Sequence, residues 1–308
     1  MENEISISVD NKNEVISILN KRESLTGKEL LEESGIDELT LWRICNKSKK
    51  IVLKIVGKRY LRLDRNVKDY ARLSPSIKRE FITYTVCGLE KKLKNIKEKR
   101  ISLQKKIKKI SKKKYKLAKD IILNIVENNR NSKIIKENVC FIIAGDIVFN
   151  MAHSEPRPEL STGKLVRGSD LDIIIIAKDK FSKSILDELD REIYREKYMY
   201  IKNPAYREEI DYNIKNISKT KNQLQFDRFE YMVASKILNE GELLYGNKMI
   251  FDKIKNMLIE RKIPDKLDEI EKAAIINRKH AKSYLLKGTG PLPEEECMKL
   301  FYTREETE

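Results

Sequence analysis

One stretch decides how the middle of this chain folds: Arg167-Gly168-Ser169-Asp170-Leu171-Asp172-Ile173-Ile174-Ile175-Ile176. The isoleucine run predicts a buried strand. Asp170 and Asp172 stand two residues apart at its start, and residues i and i+2 of a strand point to the same face. The stretch therefore predicts two carboxylates that converge at the edge of a sheet.

Two converging acids favour a cation as their partner. Carboxylate oxygens suit hard divalent metals, and magnesium is usually held by one or two carboxylates together with substrate phosphates. This points to phosphoryl or nucleotidyl chemistry. The plain alternative is a surface strand end, where isolated Asp-x-Asp pairs are common. His153 and His280 are the only histidines, which argues against a histidine-based or zinc site, and we expect His280 at the surface.

The composition favours a polyanionic partner. The 308 residues suffice for two or three domains, and 64 Lys and Arg against 48 Asp and Glu give a formal charge of +16. A biased genome would also enrich lysine, so the distribution of charge matters more than its total. Between Gly88 and Lys119, fifteen Lys and Arg face only two Glu, and most of the excess lies in this one segment.

The cysteines and the apolar runs bear on the compartment. Four cysteines without paired spacing predict reduced, mostly buried thiols. No apolar run approaches the roughly 20 residues of a membrane span, and residues 1–4 lack a signal-peptide pattern. We therefore expect a cytoplasmic protein.

Residues 1–72 predict three helices followed by two strands. A helix is expected over residues 13–21, and Thr26 with Glu29 forms a capping box for the second. The third runs over residues 39–46 and includes Trp42, expected in the core. Residues 51–56 and 59–63 read as a hairpin around Gly57 and Lys58. This order resembles a winged helix-turn-helix.

In that interpretation the third helix lies in a DNA major groove. The expected base and phosphate contacts are Thr40, Arg43, Lys47, Lys49, Lys50, Lys58 and Arg59. Two alternatives stay open, because winged helices also serve as protein-interaction modules and basic residues often form only a solvated face.

Residues 73–132 predict a long basic helical connector. From Ile77 to Asn128 there is no proline and only Gly88, and apolar residues from Leu89 to Ile121 alternate in steps of four and three, which is a heptad pattern. The apolar stripe would meet either another protomer or the chain's own body. The opposite face predicts nucleic-acid contacts by Lys105, Lys106, Lys108, Lys109, Lys112 and Lys113.

Residues 133–246 alternate strands and helices. A strand over residues 139–144 ends at Gly145 and Asp146, a helix is expected from Ile147, and a polar stretch over residues 153–164 precedes the Asp-x-Asp strand. Next come a helix over residues 182–200 and a strand over residues 208–214, which carries Asp211. Further helices are expected over 229–238, 248–261 and 266–286, and the acidic tail after Pro293 is expected to be frayed.

This order of strand, glycine turn, helix, Asp-x-Asp strand and later acidic strand resembles the DNA polymerase β nucleotidyltransferase superfamily. The resemblance covers residues 139–246. It implies that Asp170, Asp172 and Asp211 are catalytic and hold two Mg²⁺ ions, for which Mn²⁺ could substitute, with an NTP as substrate. Asp211 would also act as general base, and Glu209 is the spare candidate.

The resemblance also implies a set of nucleotide-binding residues. These are Gly145, Asp146, Lys164, Arg167, Gly168 and Ser169. Asp146 departs from the family pattern, which has a small or hydroxyl residue where the triphosphate meets a helix N-terminus. An acid there repels phosphate unless it binds metal or turns away.

Together these features predict an α+β protein with a winged helix (1–72), a basic helical connector (73–132), a nucleotidyltransferase domain with a mixed sheet (133–246) and a helical cap (247–308). The expected activity is Mg²⁺-dependent transfer of an NMP from an NTP to a macromolecular hydroxyl, preferably an RNA end such as that of tRNA, as in toxin and antiviral-defence enzymes. The alternatives are nucleotidylation of a protein or small molecule, and a DNA-binding regulator whose nucleotidyltransferase domain is inactive or senses a ligand. Homo-oligomerisation through the heptad stripe is also expected, and no membrane contact.

Overall fold

The computed structural model describes residues 2–159 and 163–306. Helix makes up 60% of the chain and strand 17%, which confirms the predicted mixed α+β class. The chain divides into two compact units. The first runs up to Lys106 and resumes at Glu271, and the second spans Ile107–Ile270.

The first unit begins with three helices, as predicted. The Thr26 hydroxyl accepts a hydrogen bond from the Glu29 backbone N–H, and the Glu29 carboxylate accepts one from the Thr26 backbone N–H, so the expected capping box is present. Gly35 ends that helix with φ 62°, a left-handed conformation that favours glycine. The elements up to the long helix are α1 (Glu2–Arg22), β1 (Ser24–Thr26), α2 (Gly27–Ser34), α3 (Glu38–Lys47), β2 (Ile51–Ile55), β3 (Tyr60–Leu63), β4 (Ala71–Ser74), α4 (Ile77–Tyr84) and β5 (Thr85–Leu89).

The predicted hairpin is wrong in its pairing. Strands β2 and β3 form where expected, but β2 pairs antiparallel with β5, and β3 pairs with β4. Strand β5 also pairs with β1 and becomes the centre of a three-stranded sheet. All five β5 residues are buried, and a fully buried strand satisfies its backbone best between two partners. The segment 85–89 was expected to be helical, so that expectation is also corrected.

The C-terminal residues complete the core of the first unit. Helix α12 (Glu294–Leu300) follows Pro293, so the tail expected to be frayed is ordered over these residues. Phe301 is buried and its ring meets Trp42 edge-on at 6.0 Å between centroids. Trp42 is therefore a core residue, as predicted. The four cysteines are reduced and buried, also as predicted.

The long helix α5 (Leu93–Asn128) accounts for most of the expected connector. Its apolar stripe packs into the core of the second unit, where Ala118, Ile121 and Ile122 are buried. This part of the heptad pattern is therefore covered by the chain itself and does not offer a seam to another protomer.

The second unit is built on a mixed four-stranded sheet in the order β10-β9-β6-β11. Strands β9 and β10 are parallel, and the other two pairs are antiparallel. The elements are α6 (Ser132–Asn138), β6 (Val139–Ile143), β7 (Pro156–Pro158), β8 (Leu165–Arg167), β9 (Leu171–Ala177), α7 (Lys183–Lys202), β10 (Ile210–Asn216), α8 (Ile217–Gln223), α9 (Phe229–Glu240), β11 (Glu242–Gly246), α10 (Lys248–Glu260) and α11 (Ile263–Lys287), which continues into the first unit.

The helix expected after β6 is wrong. Gly145–Ile147 forms a single 3₁₀ turn and the chain then continues as a turn and loop. A phosphate group bound at this point would therefore not lie at the N-terminus of an α-helix. Among the described residues, no helix is both long and apolar enough to cross a membrane.

Candidate active site

The parallel pairing of β9 with β10 brings the three predicted acids to one end of the sheet. Asp172 and Asp211 are direct register partners on neighbouring strands. Asp170 immediately precedes β9, two residues from Asp172. Since register partners on one face lie side by side, the carboxylates of different strands are neighbours. Asp211 is exposed, whereas Asp170 and Asp172 are partly buried.

Gly145, two residues after the end of strand β6, lies directly beside Asp172. Its φ is +71°, and a β-carbon at this position would overlap Oδ2 of Asp172. Its backbone N–H donates to Oε1 of Glu240 at 3.3 Å. Because Gly145 has no side chain, its backbone can approach the Asp172 carboxylate. The hydrogen bond to Glu240 ties the same backbone to the end of α9. Gly168 (φ +61°) plays a similar packing role against the backbone of His153.

Asp146, the departure from the family pattern, is tied to Ser169. The Ser169 hydroxyl donates to Oδ2 of Asp146 at 2.6 Å. Ser169 also accepts a hydrogen bond from the His153 backbone at 3.2 Å. Two predicted nucleotide-binding residues thus bind each other, and Asp146 adds a further negative charge beside the three acids.

The electrostatics are those of crowded like charges. Burial raises the pKa of Asp172 well above its ordinary value, and the charges of Asp170, Asp211, Asp146 and Glu240 raise it further. We call these five residues the acidic cluster. Burial also raises the pKa of Asp170 to about 6, opposed by a nearby guanidinium. The cluster therefore holds more negative charge than its surroundings neutralise.

That guanidinium belongs to Arg157 on β7. Its Nη2 lies 2.7 Å from Oε2 of Glu209 and 3.5 Å from Oδ2 of Asp170, and its Nε donates to the carbonyl of Gly168 at 2.9 Å. Glu209, the spare candidate, is therefore engaged by Arg157. Arg157 was not predicted as a site residue because it lies in the polar stretch between the patterned strands.

Helix α5 holds the loops that carry the acids. The backbone N–H of Ala152 donates to the Ser111 hydroxyl at 3.1 Å. The buried Lys114 donates to the Arg167 carbonyl at 2.8 Å and forms an ion pair with Glu208. These contacts fix the segments just before Asp170 and Asp211.

The remaining predicted nucleotide ligands lie on β8 and its approach. Lys164 and Arg167 are exposed. The Lys164 carbonyl accepts from the Glu159 backbone at 2.8 Å, and the Arg167 backbone donates to the Arg207 carbonyl at 2.7 Å. Their proposed contacts with phosphate stay predictions.

The predicted DNA contacts divide into two groups. Arg43 is buried and donates to the carbonyls of Leu285 and Gly290, at 2.8 and 2.6 Å. The expectation that Arg43 meets DNA is therefore corrected, because internal carbonyls hold its guanidinium. Arg59 forms an ion pair with the buried Glu80. The other candidates, Thr40, Lys47, Lys49, Lys50 and Lys58, are exposed or half-buried.

The six predicted lysines of α5 are all exposed. Their role in binding nucleic acid stays a prediction at this point, since exposure alone does not identify a partner.

The donor set of the acidic cluster suits a hard divalent cation. Five carboxylates supply only oxygen ligands, which is the chemistry that Mg²⁺ and Mn²⁺ prefer. Within residues 2–159 and 163–306, however, no three Asp, Glu, His or Cys side chains already form a closed ligand set. The residues thus fit the metal in type.

No family model, curated protein or solved structure matches this chain.

Glu240 is the second site residue that was not predicted from the sequence. It pairs with Lys236 at 2.6 Å one turn earlier on α9, and only the three-dimensional return of α9 to Gly145 reveals it.

Proposed function

We propose that this chain is a divalent-metal-dependent nucleotidyltransferase of the DNA polymerase β type. It moves an NMP from an NTP to a hydroxyl of a macromolecule, preferably an RNA end such as that of tRNA, as toxin and defence enzymes do. One observation carries the proposal: Asp172 and Asp211 are register partners on parallel strands, with Asp170 two residues before Asp172.

Each acid has a distinct task in this proposal. Two bound divalent ions would hold the triphosphate and activate the acceptor hydroxyl. Asp170 and Asp172 would hold these ions together with Asp211. Asp211 is the exposed member, so an incoming hydroxyl can reach it and pass its proton to this carboxylate. The acceptor oxygen then forms a bond to the α-phosphorus, and the bond from that phosphorus to pyrophosphate breaks.

Arg157 supplies positive charge beside the acids. A guanidinium fork binds phosphate oxygens in pairs, and this one is already held at the site by Glu209 and the Gly168 carbonyl. In the proposed reaction it orients the triphosphate. The hydrogen bond from Ser169 engages Oδ2 of Asp146 and so lessens the repulsion between this carboxylate and phosphate.

The test supplies each labelled NTP with Mg²⁺ and either total RNA or total protein. Wild-type protein should label the RNA fraction. D170N/D172N should lose at least about a thousandfold of this activity, which corresponds to about 4 kcal/mol of transition-state stabilisation at 1.4 kcal/mol per factor of ten in rate. The matched control is D187N/D227N, which neutralises two exposed aspartates elsewhere in the second unit.

Each other outcome supports a different function. Label in the protein fraction would indicate nucleotidylation of a protein. Absence of transfer, with wild-type DNA binding by D170N/D172N in a gel shift, would indicate the regulator with an inactive domain. Equal transfer by D170N/D172N and wild type would contradict the proposal.

A further inference from the structure

Helix α5 presents a row of lysines that the proposed reaction does not use. In the second unit these are Lys108, Lys109, Lys112, Lys113, Lys116 and Lys119, which we call the lysine ridge. At 3.6 residues per turn they occupy an arc of about 140° and a length of roughly 16 Å along one helix. All six are exposed. Lys105 and Lys106 precede the ridge on the same helix.

The ridge carries charge that the chain does not neutralise. Among the described residues, none of the six lysines has an acidic side chain within 4.0 Å. The inward-facing Lys114 is different, because it pairs with Glu208. Six uncompensated cations on one rigid helix make a surface that selects polyanions.

The composition of the ridge excludes a membrane-inserting helix. Such helices bury a free apolar face in lipid, whereas the apolar face of α5 already packs in the protein core through Ala118, Ile121 and Ile122. The ridge has no acid that would suit a partner of mixed charge. The remaining partner is one with dense negative charge over its length.

The ridge suits phosphates better than bases. Single-strand binding draws much of its strength from stacking on aromatic rings, and the aromatic residue on this stretch of α5, Tyr115, is half-buried with its hydroxyl 3.4 Å from the Leu243 carbonyl. The planar side chains of Arg, Asn and Gln, which read base edges in pairs, are absent from the ridge, and its lysines act as point charges that suit phosphate oxygens. The attraction is therefore electrostatic and grows with phosphate density, which is highest on a duplex.

We propose that the lysine ridge docks the phosphate backbone of a base-paired RNA stem, without sequence preference, and so selects structured RNA as the acceptor. The choice of RNA rests on the proposed function, which needs a terminal hydroxyl, and an RNA end offers vicinal 2′ and 3′ hydroxyls. The inward face of the same helix holds the loops before Asp170 and Asp211 through Ser111 and Lys114. A stem on the ridge is thereby fixed relative to the acids.

The test measures binding of a fluorescent RNA hairpin with a 20-base-pair stem, in the absence of NTP. The ridge variant is K108Q/K109Q/K112Q/K113Q, and the matched control is K178Q/K180Q/K183Q/K253Q, which removes four exposed lysines elsewhere in the second unit. Gln and Lys have similar helix propensities, and Lys178 and Lys180 are exposed residues of a connecting segment, so both variants should melt like wild type. The ridge variant should bind roughly a hundredfold more weakly at low salt, and its salt slope should be shallower by about 3 to 4.

Several results would overturn the docking proposal. They are equal binding by the ridge variant and the control, tighter ridge-dependent binding of duplex DNA or single-stranded RNA than of the hairpin, and ridge-dependent binding to anionic vesicles in preference to RNA. D170N/D172N separates this proposal from the proposed function. If it binds the hairpin like wild type while the ridge variant does not, docking is supported whether or not the wild-type protein transfers a nucleotide.

Discussion

Two groups of charged residues in this protein have opposite balance between acids and bases. In the first unit, Glu80 is buried and faces three cations, Arg59, Lys282 and Arg278. In the second unit, the acidic cluster gathers five carboxylates around Asp172.

The pKa values of Glu80 and Asp172 shift in opposite directions, as the charges around each carboxylate require. Burial alone would raise the pKa of Glu80, but the hydrogen bond from Arg59 and the charges of Lys282 and Arg278 lower it. For Asp172, burial and the neighbouring charges all act upward. A balanced cluster stabilises the fold, whereas crowded like charges persist at the expense of stability and mark a binding site. The predictions below test this contrast.

The largest effect is expected at the balanced cluster. Glu80→Gln removes the carboxylate that the three cations share and leaves them facing one another. We expect a loss of about 3–5 kcal/mol in the free energy of unfolding, measured by urea denaturation. Glu295→Gln, at the exposed pair with Lys299, is the control and should leave the midpoint unchanged. Equal stability of Glu80→Gln and wild type would show that the cluster is not a structural element.

The next effect concerns the approach of Gly145 to Asp172. Gly145→Ala places a methyl group against the Asp172 carboxylate, and we expect about a hundredfold loss of transfer activity from the displaced ligand. Gly35→Ala is the matched control, since Gly35 has φ +62° but no atom within 4 Å of the added carbon. It should cost about 1 kcal/mol of stability and no activity. Similar activities of the two variants would argue against a site at Gly145.

A smaller effect is the pH dependence of stability that Glu80 contributes. Its folded pKa lies below the ordinary value of 4.5, so its stabilisation is fully present above that value and is lost as the pH falls through the folded pKa. The stability difference between wild type and Glu80→Gln should therefore be constant above about pH 5 and narrow below about pH 4. Urea denaturation across this pH range measures the difference in the free energy of unfolding. A difference that widens as the pH falls would contradict the prediction.

Much of the acidic cluster could be predicted from the sequence because strand periodicity is local. The spacing of Asp170 and Asp172 and the flanking isoleucines fixed both the strand and its face. The strand bearing Asp211 could be found for the same reason. Its parallel register with β9 was not predicted, because the resemblance implied only that the three acids share one site.

Other parts depend on contacts that sequence patterns do not contain. The pairing of β2 with β5 joins segments about thirty residues apart, so the local hairpin pattern was misleading. Arg157 and Glu240 reach the site from a three-residue strand and a helix end, where no periodicity marks them. Arg43 lies on an apparently polar helix position, but carbonyls supplied by Leu285 and Gly290, far along the chain, bury it.

The most direct test of the acidic cluster is the melting temperature of wild type and Asp172→Asn, each in EDTA and in Mg²⁺. Our account predicts that Asp172→Asn melts above wild type in EDTA, since it removes a charge that burial and four carboxylates disfavour. Mg²⁺ should raise the wild-type midpoint by a few degrees, because a ligand at 100 times its Kd stabilises by about 2.7 kcal/mol, and should leave Asp172→Asn unchanged. A lower midpoint for Asp172→Asn in EDTA, or no response of wild type to Mg²⁺, would contradict the account.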